Sequence, residues 1–305
     1  VTHALAAIFA PGFFTSSLVR VAATVSAIVA IVTGAVGVFT VIRGQSFAGE
    51  ALGDIGTTGS SGASLVAVGP LWGLAAVAIA AAAVMELIGI QRPRGRDVAT
   101  GIVLGAGLGL AALFLYLDTI DQSTTGATFT IVFGSPFAIT SSTIPLVLAA
   151  SVASLSLILV LFRPLLLCSV SPELAGARGI SVRLIGAGYL LALAIAVALA
   201  AFTVGTILST SLLVGPAATA LRLTRSPTKA VLTAAVLGVT VTWLGILMAY
   251  DSYDWPPVGH GWPVSFFVVT LIFLAYLLAG LPRRRRSTTA ELLAASRTAL
   301  EQSQG

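Results

Sequence analysis

Glu50 and Asp54 stand four residues apart in the stretch FAGEALGDIGTTGSSGAS, residues 47–64 of a 305-residue chain in which only 9% of residues are charged. A helix stacks residues at that spacing on one face. Two carboxylates so placed repel each other unless a proton or a cation sits between them. Acidic groups inside a bilayer are costly and face a polar cavity or a partner. Hard oxygen donors suit Mn, Fe, Mg or Ca better than Cu(I) or a soft zinc site. The plain alternative is that the pair occupies the first turns of a helix, where negative charge meets the positive end of the dipole.

Three further stretches carry candidate chemistry. Ser171-Pro172-Glu173-Leu174-Ala175, with Gly179 downstream, reads as a helix start, with Ser as the cap and Pro in the first turn. It predicts a short helix in a loop, either an ordinary interfacial helix or a docking knob for a soluble partner. The run from Val204 to Pro227 is dense in Gly, Ala, Ser and Thr, which let helices approach closely in lipid. Within it, Gly205 suggests a hairpin of two short helices, and Gly215-Pro216 a kink or interruption. Its roles are tight packing or a broken helix lining a path. In YDSYDWPPVGHGWP, residues 250–263, Asp251, Asp254 and His260 form either a weak cation-attracting mouth or a solvated loop, and Trp255 and Trp262 fit an interfacial aromatic belt.

The elements that must position these residues follow from composition. Hydrophobic residues make up 57% of the chain, and charged residues fall far short of the roughly one quarter usual in soluble domains. That composition specifies an all-α polytopic membrane protein, since the apolar runs are much longer than a barrel strand needs and a helix satisfies its own backbone in lipid. Spans are expected at Ser16–Ile42, Leu71–Ile90, Val98–Leu117, Ile144–Phe162, Ala230–Tyr250 and Val264–Leu281. Leu184–Leu221 is long enough to go out and back. Phe129–Ile139 is apolar but too short to cross, and is expected to be interfacial or re-entrant. The connection 163–183 is read as a cytosolic loop. Residues 1–15 form an N-terminal segment, 16–281 the membrane domain and 282–305 a basic cytosolic tail.

The loops set the orientation. Arg43, Arg92–Arg96, Arg163–Arg183, Arg222–Lys229 and Arg283–Arg286 fall on one side only if the stretch from Arg43 to Pro70 also crosses. The positive-inside rule puts them in the cytosol, with the acidic loops at Asp118–Asp121 and Asp251–Asp254 outside. The count is then nine helices, with the N-terminus outside and the C-terminus inside; eight would strand Arg43 outside. The basic balance therefore reflects topology rather than nucleic-acid binding. Cys168 is the sole cysteine and His3 and His260 the sole histidines, which excludes an intramolecular disulfide and a multi-histidine zinc site. The opening residues lack a signal-peptide pattern, so the first membrane helix is expected to direct targeting. No inverted internal repeat is evident.

Taken in order, these motifs resemble the permease subunit of the zinc/manganese/iron family of bacterial ABC importers. The resemblance runs from about Gly12 to Leu281. It rests on GVFTVIRGQSFAGEALGD (Gly37 to Asp54), Arg96-Asp97 with Gly101, Val132-Phe133-Gly134, Ser171 to Ala175 with Gly179, and Val204 through Ala220. It implies a type II-like importer fold in the bacterial cytoplasmic membrane and a homodimeric or pseudo-dimeric pore. It implies two ATPase subunits on the cytosolic side, with the Ser-Pro-Glu loop as the coupling helix, and an extracytoplasmic metal-binding protein outside. The chain has no GxxxxGK[ST] loop, so ATP belongs to the partner; no cofactor is expected in this chain, and the divalent metal is cargo. The family's Asp and His on the metal path resemble Glu50 and Asp54 here, so the histidine position carries a carboxylate. That exchange shifts preference towards harder ions. The family's Tyr-Asp mouth is stretched here to Tyr253–Gly259. Two other readings are an ion-coupled secondary transporter using Glu50 and Asp54, and an ABC permease for a metal chelate or siderophore.

Overall fold

The structure is a computed structural model that describes residues 16–66, 68–88, 96–122, 134, 136–206, 208–255 and 261–280. The regular structure among these residues is helical: α1 (Ser17–Ile42), α2 (Ser46–Leu65), α3 (Pro70–Ile88), α4 (Arg96–Gln122), α5 (Ile144–Val170), α6 (Pro172–Ala177), α7 (Val182–Val204), α8 (Ser209–Leu223), α9 (Pro227–Asp251) and α10 (Val264–Gly280). Short 3₁₀ turns occupy Pro136–Ala138, Ser141–Thr143 and Ser252–Asp254. Among the described residues, six helices are long and apolar enough to cross a membrane: α1, α3, α4, α5, α7 and α9. α10 is apolar but shorter, α8 has 15 residues, and α2 is rich in Gly and Ser.

Local chemistry sets the boundaries. Gly44 takes a positive φ of 61° and turns the chain from α1 into α2. Pro70 opens α3, Pro172 opens α6 and Pro227 opens α9; each sits where a missing N–H costs no helical bond. Gly205, at φ 96°, ends α7. Two helices run further than their apolar patterns. α4 continues past Leu117 through Asp118 and Asp121, which the sequence reading put in a loop. α5 continues past Phe162 through Pro164 to Val170, so the first third of the expected 163–183 loop is helical. Hydropathy marks what lies in lipid, and a helix needs no apolar residues beyond the bilayer. Past Pro164, the buried side chains of Leu165 and Cys168 hold α5 to the bundle. The Phe129–Ile139 segment is described only at 134 and 136–139; its turn rests on α1. Segments 1–15 and 281–305 lie outside the described residues.

α1 and α7 form the centre. α1 packs against α5, α7, α8 and α9, while α7 also meets α2 and α3. Both are mostly buried, whereas less than a quarter of α4 and of α5 is buried. Phe39 of α1 meets Phe162 of α5 edge to face, with ring centroids 5.2 Å apart. α10 lies on α8 and α9. Its Ile272 fills the space beside Gly215, Val268 that beside Gly245, and the Arg222 guanidinium lies 3.6 Å above the centre of the Tyr276 ring.

Candidate functional site

α2 carries the two carboxylates on a helix that packs through its glycines. A Cβ at Gly49 would lie 2.8 Å from the Leu213 side chain, and one at Gly53 2.5 Å from Ser209 Oγ. Gly49 and Gly53 therefore mark the face pressed against α8. Glu50 and Asp54 follow them by one residue, about 100° around the helix, so both stand at the edge of the α2–α8 seam. Glu50 is exposed and Asp54, one turn further along, is half-buried.

The remaining faces of α2 are fixed by close contacts. A Cβ on Gly59 would fall 2.0 Å from the Gly73 carbonyl oxygen, and one on Gly73 equally close to that of Gly59, so α2 and α3 cross backbone to backbone. Thr58 Oγ1 donates to the Gly107 carbonyl of α4 at 2.6 Å. Ser61 Oγ donates back to the Thr57 carbonyl at 2.7 Å. The hydroxyls that look available in the sequence are thus used for helix–helix bonds and for bonds within α2. Among the described residues no group of three or more His, Cys, Asp or Glu side chains could hold a metal ion. Two carboxylates are the whole acidic donor set that α2 offers.

At the end of the bundle where α1 turns into α2, Tyr189 is fully buried and donates to Thr40 Oγ1 at 2.9 Å. Arg43 lies over the same ring, 5.1 Å from its centre. The Ser-Pro-Glu segment lies at this basic end. Ser171 Oγ accepts from the Leu174 N–H, Pro172 occupies the first turn, and Gly179 at φ 76° closes the other end. The Ile180 N–H bonds the Ala175 carbonyl and the Gly179 N–H that of Gly176, a two-bond terminal motif that lets a six-residue helix persist. Glu173 and Leu174 point to solvent and Ala175 is buried. Arg183, in the first turn of α7, pairs with Glu86 of α3 at 3.7 Å.

The opposite, acidic end holds the α7–α8 break. A Cβ on Gly134, itself at φ 68°, would lie 2.3 Å from the Gly205 nitrogen, so the segment preceding α5 rests directly on the backbone of the break. α8 then runs unbroken through Gly215 and Pro216. Of the mouth residues, Asp251 ends α9 half-buried, Asp254 ends the turn that follows, and His260 lies outside the described residues. Trp255, Trp262, Phe266 and Phe267 form one aromatic cluster there, with the Trp262 and Phe267 rings stacked 6.2 Å apart.

A central helix pair, a glycine-packed acidic helix and a doubly capped short helix at the basic end are the frame against which known proteins compare. Residues 15–280 match the ABC 3 transport family. The chain belongs to that family. As a member of the ABC 3 transport family it is a membrane-spanning transport component, which sets aside the ion-coupled secondary transporter. It is 28% identical over 272 residues to the manganese transport system membrane protein MntC of Listeria innocua, covering 89% of this chain and 94% of that protein. It is 25% identical to the high-affinity zinc uptake system membrane protein ZnuB of Haemophilus influenzae, over 76% of this chain and 88% of that one. Among solved structures it resembles PsaBC from Streptococcus pneumoniae in complex with Fab, with a TM-score of 0.75, 25% identity and coverage of 88% and 92%.

Sequence reading missed the partners more than the residues. The Arg43–Tyr189–Thr40 group spans a separation of about 150 residues, and the only local signal is a Tyr and an Arg in apolar surroundings. The Gly134–Gly205 contact joins two glycines whose positive φ values no spacing discloses.

Proposed function

We propose that this chain is the permease subunit of an ABC importer that moves a divalent transition-metal ion, Mn, Zn or Fe, into the bacterial cytoplasm. The observation that carries the reading is the Glu50–Asp54 pair on one face of α2, beside the α8 seam and open at Glu50. The relatives named for manganese and zinc transport support the cargo class. A second carboxylate where the family has histidine favours manganese or iron over zinc. α1 to α5 and α7 to α10 make nine crossings, with the start of α1 outside and the end of α10 in the cytosol. α6 then projects from the cytosolic face as the surface an ATPase subunit moves, and the Arg183–Glu86 pair ties its exit to α3, which packs on α2.

Two carboxylates make an incomplete cation site. A second copy meeting this one across the open side of Glu50 would bring a second pair, which supports a homodimer with the path along its axis. The acidic end receives the metal from an extracytoplasmic binding protein, and ATP is hydrolysed in the partner subunit. The test is uptake of radiolabelled Mn, Zn and Fe by the complex reconstituted with its ATPase. Glu50→Gln with Asp54→Asn is expected to abolish uptake while leaving the ATPase bound. Unchanged uptake would overturn the path assignment, and uptake of a chelate but not of free ions would change the cargo.

A further inference from the structure

Arg20 breaks the charge pattern of the chain. It is one of sixteen Lys and Arg residues, and every other one falls in the basic loops or in the tail. Arg20 stands in the first turn of α1, at the opposite end of the bundle from Arg43. Its guanidinium makes no hydrogen bond or ion pair with the described residues, and it is exposed. A cation at the end that positive charge otherwise avoids needs a reason of its own.

Beside it runs a groove of about 470 Å³ between the first turns of α1 and the second half of α9, within the range of small-molecule sites. Val19, Ala23, Trp243, Leu244 and Leu247 line it along with Arg20. Trp243 donates its only N–H to the Ala23 carbonyl at 3.1 Å, so the indole presents only its apolar surface to the groove. Arg20 lies about 5 Å along α1 from its start, and Ala23 about 9 Å, at 1.5 Å per residue. The cation therefore sits at headgroup depth and the apolar walls below it, at acyl-chain depth.

We propose that this groove binds one anionic phospholipid, its phosphate on Arg20 and an acyl chain along Ala23, Trp243 and Leu247. Charge decides the occupant. No carboxylate is among the described residues that line the groove, so the counter-charge for Arg20 comes from its occupant. A phosphate meets the guanidinium with paired N–H···O bonds.

Native mass spectrometry of the full permease–ATPase complex, released from vesicles of equal phosphatidylglycerol and phosphatidylcholine, reads the site. One retained phosphatidylglycerol per permease chain is expected, falling about fivefold in Arg20→Gln, the weight of one arginine near an anionic headgroup. Arg20→Lys should keep most of it. Ala23→Phe, which fills the groove while leaving the charge, should lose it. Equal retention of the two lipids, full retention in Arg20→Gln, or full retention in Ala23→Phe would each overturn the proposal. So would a disulfide between two copies of Leu244→Cys in a Cys168→Ser background, because that face would then be covered by protein. Size-exclusion profiles confirm that each variant is folded before it is scored.

Discussion

α2 and α5 invert the pattern of a soluble protein. α5 is rich in Leu, Val and Ile, yet few of its residues are buried, and Leu159 and Val160 are 76% and 77% accessible. α2 is built of Gly, Ser and Thr, and most of its residues are buried. In water the apolar helix would be inside. In lipid the solvent is as apolar as leucine, so hydrophobicity no longer sorts residues between core and surface. Size and hydrogen bonding do the sorting instead. α2 lies in the core because its glycines let α3 and α8 reach its backbone and its hydroxyls have carbonyls to bond. α5 lies outside because its bulky side chains keep neighbours at a distance that lipid fills more readily.

The sharpest way to break this contrast is Gly59→Leu. Its side chain has no room against the Gly73 carbonyl, and overpacking at a backbone crossing costs about 3 kcal/mol or more. The expected outcome is loss of monodisperse protein on size exclusion. Next in size are losses of single polar contacts. Ser171→Ala removes the α6 cap, worth about 1 kcal/mol, and should raise hydrogen exchange across 172–177 and weaken coupling of ATP hydrolysis to uptake. Tyr189→Phe deletes the bond to Thr40 and should lower thermal stability by about 0.6 kcal/mol, the average for such bonds between membrane helices, with uptake retained. Smallest is Leu159→Ala on α5, which exchanges one lipid-facing surface for another and should stay within about 0.5 kcal/mol in the same melt. A large effect there would mean that α5 faces protein rather than lipid.

The legibility of the fold differs from element to element for physical reasons. α1, α3, α7, α9 and α10 were readable within a few residues, because a bilayer imposes a minimum apolar length and loops punctuate it with Pro, Gly and Arg. α4 and the end of α5 were read short, since their extra turns lie where water replaces lipid and hydropathy falls silent. α2 was readable as a helix only through bookkeeping on the charge of the loops, since its composition resembles a linker. Glu50 and Asp54 were found because carboxylates are rare in this chain. That Asp54 is half-buried while Glu50 is exposed was not readable, because burial depends on which distant helices α2 meets along its length.

The sequence by itself determined that the chain lives in a membrane, is helical, carries an acidic pair on one helix face and gathers nearly all its positive charge between its apolar runs and in its tail. Each of these follows from local composition and a short period, which lipid enforces residue by residue. Only the tertiary structure decided which helices are central and which glycines are crossing points rather than turns. Those outcomes depend on pairs of distant residues competing for the same space, and no local pattern records who wins.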